Sequence, residues 1–177
     1  GQVHFGARLT GIETQNGALR AIRYIERGQE QELPCEQLIL AVGHSARDTV
    51  EMLYKNGAQI IQKPFSVGAR IEHPQKLIDK AQYGAFAGHP KLGAADYKLS
   101  CHGLHQRGAY TFCMCPGGTV VAAASEKGGV IVNGMSTLAR DGENANSALL
   151  VGIDPVDFPS EHPLAGMYYQ REIEQNA

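Results

Sequence analysis

Residues 108–133, GAYTFCMCPGGTVVAAASEKGGVIVN, constrain the fold more than any other part of the chain. Two strand-like runs, 109–115 and 119–125, flank a Cys-Pro-Gly-Gly corner. Val, Tyr, Phe and Thr fit a pleated, half-buried surface, while Pro-Gly supplies a turn and removes a ladder donor. In an extended run Cys113 and Cys115 lie two apart and project from one face. Pro116, Gly117 and Gly118 leave the corner bare, which would let a flat ligand approach the backbone. A tight hairpin with two buried thiols satisfies the same pattern without any chemistry, because cysteine is often a small core residue.

The rest of the chain reads in two parts. Residues 3–13 alternate apolar and polar, Asn16-Gly17 is a hairpin signal, and 18–26 and 30–33 complete an antiparallel meander. Residues 37–42, QLILAV, are apolar on consecutive positions, as expected of a strand buried on both faces of a parallel sheet. That strand runs into Gly43-His44-Ser45, with Ser45 as N-cap and Asp48 three residues on, opening a helix that ends near Asn56-Gly57. Such a turn presents backbone N–H groups to an anionic or polar ligand.

A change of texture near Gln62 divides the chain into segments 1–61 and 62–177. The second segment reads as a strand over 67–71, a short helix with Pro74 at its first position, and an irregular loop over 83–95. Strands at 97–102, in the central hairpin, at 130–133 and at 147–153 follow, with a polar turn over 140–146 and a helix over 164–175. The fold class is therefore α+β or α/β: a meander plus one buried strand and helix, then a mixed, mainly antiparallel sheet domain with few helices.

At 177 residues the chain can bury a core, and 43% hydrophobic with 19% charged residues is ordinary for a globular protein. A net charge of −2 argues against a nucleic-acid or anionic-membrane partner. No apolar run reaches about 18 residues, so no membrane span is expected. Four cysteines in a chain of this length need not be a disulfide framework, and a reduced cytoplasmic setting is expected.

Three constellations could carry chemistry. Cys101, His102, His105, Cys113 and Cys115 are soft ligands within fifteen positions, yet their spacing matches no common zinc pattern, and no metal is expected. A Cys113–Cys115 redox pair would close a small, strained ring. Lys63, Arg70, Glu72 and His73 could clamp a substrate carboxylate and supply an acid or base, or Arg70 and Glu72 could be a plain cross-strand ion pair. Gly43-His44-Ser45 could face a cofactor or simply cap a helix. No G-x-G-x-x-G or G-x-x-x-x-G-K-[ST] loop occurs.

LILAVGHSARDTVEML, KPFSVGARIEHPQKLID, AYTFCMCPGGTVVAAASE and NGMSTLARDGENANSALLV, in that order, resemble a family of bacterial FAD-dependent dehydrogenases with a glutathione-reductase-like FAD fold. The resemblance implies an internal portion of an oxidoreductase, with 1–61 a segment of the FAD domain and 62–177 the substrate side of the flavin. FAD would belong to the full-length protein and not be retained by this chain alone. The implied partners are a small-molecule substrate and the remainder of the same polypeptide. It also implies Gly43, His44, Ser45, Pro116, Gly117 and Gly118 as cofactor-side residues. Arg70, His73, Cys113 and Cys115 become catalytic candidates, and Lys63, Arg70 and Glu72 substrate-side candidates. A Cys/His metal-binding module and a structural or interaction domain with core thiols are the alternatives.

Overall fold

A computed structural model describes residues 1–104 and 107–177. His105, one of the candidate metal ligands, lies outside the described residues. The chain divides into two compact units, Gly1–Gln62 with His162–Met167, and Lys63–Glu161 with Tyr168–Ala177.

The first unit is an antiparallel meander of β1 (Ala7–Gln15), β2 (Ala18–Glu26) and β3 (Gln29–Pro34), with β2 central. Two-residue turns join the strands, Asn16-Gly17 and Arg27-Gly28, all four residues at positive φ. That geometry matches the right-handed twist of the flanking strands, so these dipeptides set the register. Helix α1 (Arg47–Lys55) packs on β1.

Three expectations fail in this unit. Residues 3–6, read as the start of the first strand, form none, and Val3 and Phe5 are exposed. Residues 37–42 form no strand, and Ile39 is 92% exposed, with Leu40 and Val42 also open. A run apolar on every position needs sheet neighbours on both sides, and among the described residues no strand lies beside it. Ser45 is not the helix cap either. Ala46 holds that position without a side-chain bond, and the Asp48 carboxylate accepts from the adjacent Thr49 N–H at 2.8 Å.

In the second unit β4 (Phe65–Pro74), β9 (Asn144–Ile153), β6 (Arg107–Cys115) and β5 (Ser100–Leu104) form one antiparallel sheet in that order. A separate ribbon pairs β7 (Gly118–Ala122) with β8 (Val132–Ser136). Helix α2 (Gln75–Tyr83) packs on β4 and β9, and α3 (Ala165–Asn176) belongs to this unit from Tyr168 on. The mainly antiparallel α+β architecture, with three α-helices among the described residues, is thus as the sequence indicates.

Local differences have physical causes. Strand β4 extends to Pro74, which serves as the cap of α2 and not its first residue. The polar stretch read as a turn contributes Asn144 and Asn146 to β9. Asn144 Nδ2 donates to Glu72 at 2.9 Å, and Arg70 donates to Asn146 Oδ1 at 2.7 Å. Cross-strand hydrogen bonds to Asn144 Nδ2 and Asn146 Oδ1 help a polar segment enter a sheet.

The corner is not a hairpin. Strands β6 and β7 belong to different sheets, and Pro116, Gly117 and Gly118 are buried. Gly117 sits at φ +53, and a Cβ there would overlap the Arg140 carbonyl. At Gly118 a Cβ would meet the Met135 carbonyl oxygen at 2.5 Å. The room these glycines leave is filled by the protein's own main chain, not open to a flat ligand.

Near the end of β9, Arg107 grips both oxygens of Asp157, one of them at 2.8 Å, and the Asp154 N–H donates to Asp157 at 2.8 Å. The Arg107 bond, then the backbone bond, holds the Asp157 carboxyl below its usual range. A lowered folded-state value means that this contribution is present above the ordinary carboxylate range and lost as pH falls through the lowered value. Asp157→Asn should therefore flatten that acid limb of the melting temperature against pH. An unchanged limb would show that the pair contributes nothing.

Candidate functional site

The candidate site in the second unit begins at a β-bulge. Phe112 pairs with Ala148 and Cys115 with Asn146, so Cys113 and Met114 together oppose the single residue Ser147. Cys113 takes φ +51, a left-handed conformation costly for a residue with a Cβ. The extra residue breaks the alternation that would have put Cys113 and Cys115 on one face. Cys113 is exposed, and Cys115 is half-buried with its Sγ 3.3 Å from the Cys113 carbonyl oxygen.

Arg70 holds this bulge from β4. Its Nη1 donates to Asn146 Oδ1 at 2.7 Å and to the Cys113 carbonyl at 3.3 Å. Asn146 has no exposed surface, and its Nδ2 has no hydrogen-bond partner among the described residues. On the other side a Cβ at Gly134 of β8 would collide with Asn146 Oδ1 and Arg70 Nη1 and lie 2.7 Å from Cys115 Sγ. Glycine at 134 therefore lets the two-stranded ribbon close over the Arg70–Asn146 pair.

Beside the bulge lies a cleft of about 860 Å³, lined by Cys113, Met114, Phe112, Thr111, Tyr97, Lys98, Asp96 and Gln82. The Tyr97 hydroxyl lies 2.7 Å from His73 Nε2, and the rings meet at 5.6 Å. The wall thus offers a thiol, a phenol, an ammonium and a carboxylate around apolar surface, a mixture suited to a small polar organic ligand.

Arg70, His73, Cys113 and Cys115, drawn from two separate sequence constellations, lie in or next to this region. Their partners differ from the expected ones. Arg70 and Glu72 are not an ion pair, because each bonds a β9 asparagine instead. Lys63 is exposed and takes no part in the cleft wall. Gly43, His44 and Ser45 lie in the first unit, all exposed, with Gly43 at φ +73 and nothing within 4 Å of a Cβ built there. Cys101 and His102 are exposed, and among the described residues no three His, Cys, Asp or Glu side chains gather to hold a metal.

Sequence reading missed Tyr97, Asn146, Gly134 and Gln75. Each acts through a contact at least twenty positions away, which no local spacing announces. Buried Gln75 is a hub of this kind. Its Oε1 accepts from Gly117 N–H at 2.8 Å, and its Nε2 donates to Asp79 at 2.7 Å and to the Ala95 carbonyl at 3.0 Å.

Residues 64–177 match the family model described as FAD-dependent protein, C-terminal domain-like. Over 178 aligned positions the chain is 51% identical to an uncharacterised protein of Clostridium beijerinckii. The alignment takes in the whole of this chain and 33% of that protein, so the chain spans about a third of its relative's length. No helix among the described residues is long and apolar enough to cross a membrane.

Proposed function

As the chain belongs to the FAD-dependent protein, C-terminal domain-like family, we propose that it is an internal portion of an FAD-dependent oxidoreductase that forms the substrate side of the flavin site. The single observation that carries this reading is the family match, which contains the whole bulge-and-cleft cluster. Flavin, when bound, would supply two-electron or hydride chemistry, and the protein's task is to bind, orient and exclude water. Exposed Gly43, His44 and Ser45 fit a cofactor-facing role, since a positive-φ glycine with open space beside it admits a close backbone approach. Buried Pro116, Gly117 and Gly118 do not fit one. Arg70 would act by holding the bulge that presents Cys113, and the cleft would take a small-molecule substrate.

In this reading the exposed run 37–42 becomes a buried strand only when the remainder of the polypeptide supplies its sheet neighbours. Ile39→Asp tests that point. It should leave this chain's stability within about 0.5 kcal/mol, as for an ordinary surface change. In the full-length protein it should abolish flavin retention. Full retention in the full-length variant would sink the reading of 37–42 as part of the FAD domain.

A further inference from the structure

We propose that Tyr97 and His73 form a proton relay in which Tyr97 touches the ligand in the cleft and His73 works through Tyr97. The proposal deepens the oxidoreductase reading and stands on different observations. His73 lies near the end of β4 opposite Ala145, which is fully buried. Its Nδ1 is buried with no hydrogen-bond partner among the described residues, and its Nε2 meets the Tyr97 hydroxyl at 2.7 Å. Among the described residues the phenol is therefore the single hydrogen-bonding outlet of this imidazole. Tyr97 in turn lines the cleft of about 860 Å³ beside Cys113 and Lys98.

The chemistry follows from the connectivity. A ligand hydroxyl loses its proton to Tyr97 Oη as the Tyr97 O–H proton passes to His73 Nε2, so the phenol is restored and the imidazole becomes imidazolium. One O–H bond breaks on the ligand, one forms on Tyr97, and the proton displaced from Tyr97 forms the new N–H bond on His73. No redox partner is consumed in this step. The reverse transfer returns the proton to a ligand oxyanion. Lys98, in the same wall, puts a cation in the cleft that would favour the anionic form of the ligand. The ligand class is thus a small molecule with an ionisable hydroxyl, of which phenols are the simplest.

The test uses 3-nitrophenol, whose phenolate absorbs at the edge of the visible while the neutral phenol does not, added to this flavin-free chain at a slightly alkaline pH where the free probe is mostly protonated and an ordinary imidazole is mostly neutral. The expected result is bound probe with the phenolate band, together with His73 ring ¹⁵N signals characteristic of imidazolium. Both signatures should be lost in Tyr97→Phe, which keeps the ring. They should also be lost in His73→Gln, which keeps a hydrogen bond but cannot hold the extra proton. Absence of binding, binding as the neutral phenol, or a phenolate band that persists in Tyr97→Phe would overturn the relay. Because no flavin is present, a positive result beside a full-length protein that takes up no flavin would leave the relay standing and remove the oxidoreductase reading.

Discussion

Gly117→Ala should lower the stability of the second unit by about 3–5 kcal/mol, at the severe end of single-substitution effects. Two causes act at once. The backbone at φ +53 penalises any residue with a Cβ, and that Cβ would overlap the Arg140 carbonyl and press on Asp141 N at 2.9 Å. Neither neighbour is a flexible side-chain tip, because the 137–143 loop is fixed by Gly142 N–H donating to the Gly117 carbonyl at 3.2 Å. Chemical denaturation of the two proteins measures the difference. A loss below about 1 kcal/mol would mean that the corner relaxes freely and is not a closed backbone contact.

The second large effect is expected at Gln75. Its amide joins the corner, α2 and the loop at Ala95, and its main-chain N–H donates to the Glu143 carbonyl at 2.9 Å. Gln75→Ala removes the bonds to the Gly117 N–H, the Ala95 carbonyl and Asp79, and orphans the first two groups where Gln75 is only 5% exposed. Each orphaned group costs about 1–3 kcal/mol, so a loss of about 2–5 kcal/mol is expected. In a chain of this size that corresponds to a fall in melting temperature on the order of 10 °C. Gln75→Glu offers a sharper comparison, since it keeps the acceptor for Gly117 but loses the donor to Asp79 and Ala95. An unchanged melting curve in Gln75→Ala would show that water replaces all three bonds.

The turns and strand pairing of the meander were legible because their information is local, although its first strand begins at Ala7 and not at Val3. Asn16-Gly17 determines a turn, the turn determines the pairing, and alternation determines the faces. The second unit was legible as antiparallel sheet with few helices, since its β-branched runs are short and punctuated by glycine. What sequence could not convey was where each strand goes. The runs on either side of Pro116 look like one hairpin, yet strand β6 pairs with β9 while β7 pairs with β8. That switch depends on the glycines receiving carbonyls from residues 135 and 140, a long-range fact.

The candidate site shows the same division. Arg70, His73, Cys113 and Cys115 carried recognisable chemistry in their side chains, so residue type alone brought them forward. Asn146 and Tyr97 did not. Asn146 sits in a polar stretch that resembles a turn, and its role appears only when Arg70 crosses the sheet to it. The one-residue bulge at Cys113 is equally silent in sequence, although it decides that the two thiols do not share a face. The apolar run 37–42 is the converse case, a strong local pattern whose expected neighbours are not among the described strands.

The most direct measurement is the visible absorption spectrum of the full-length protein as purified, followed by that of this 177-residue chain with FAD added. A bound-flavin band in the full-length protein, with no shift of the free-FAD spectrum by the chain, is the expected result. A full-length protein that purifies colourless and leaves added FAD unchanged would contradict the assignment of this chain to the substrate side of a flavin site.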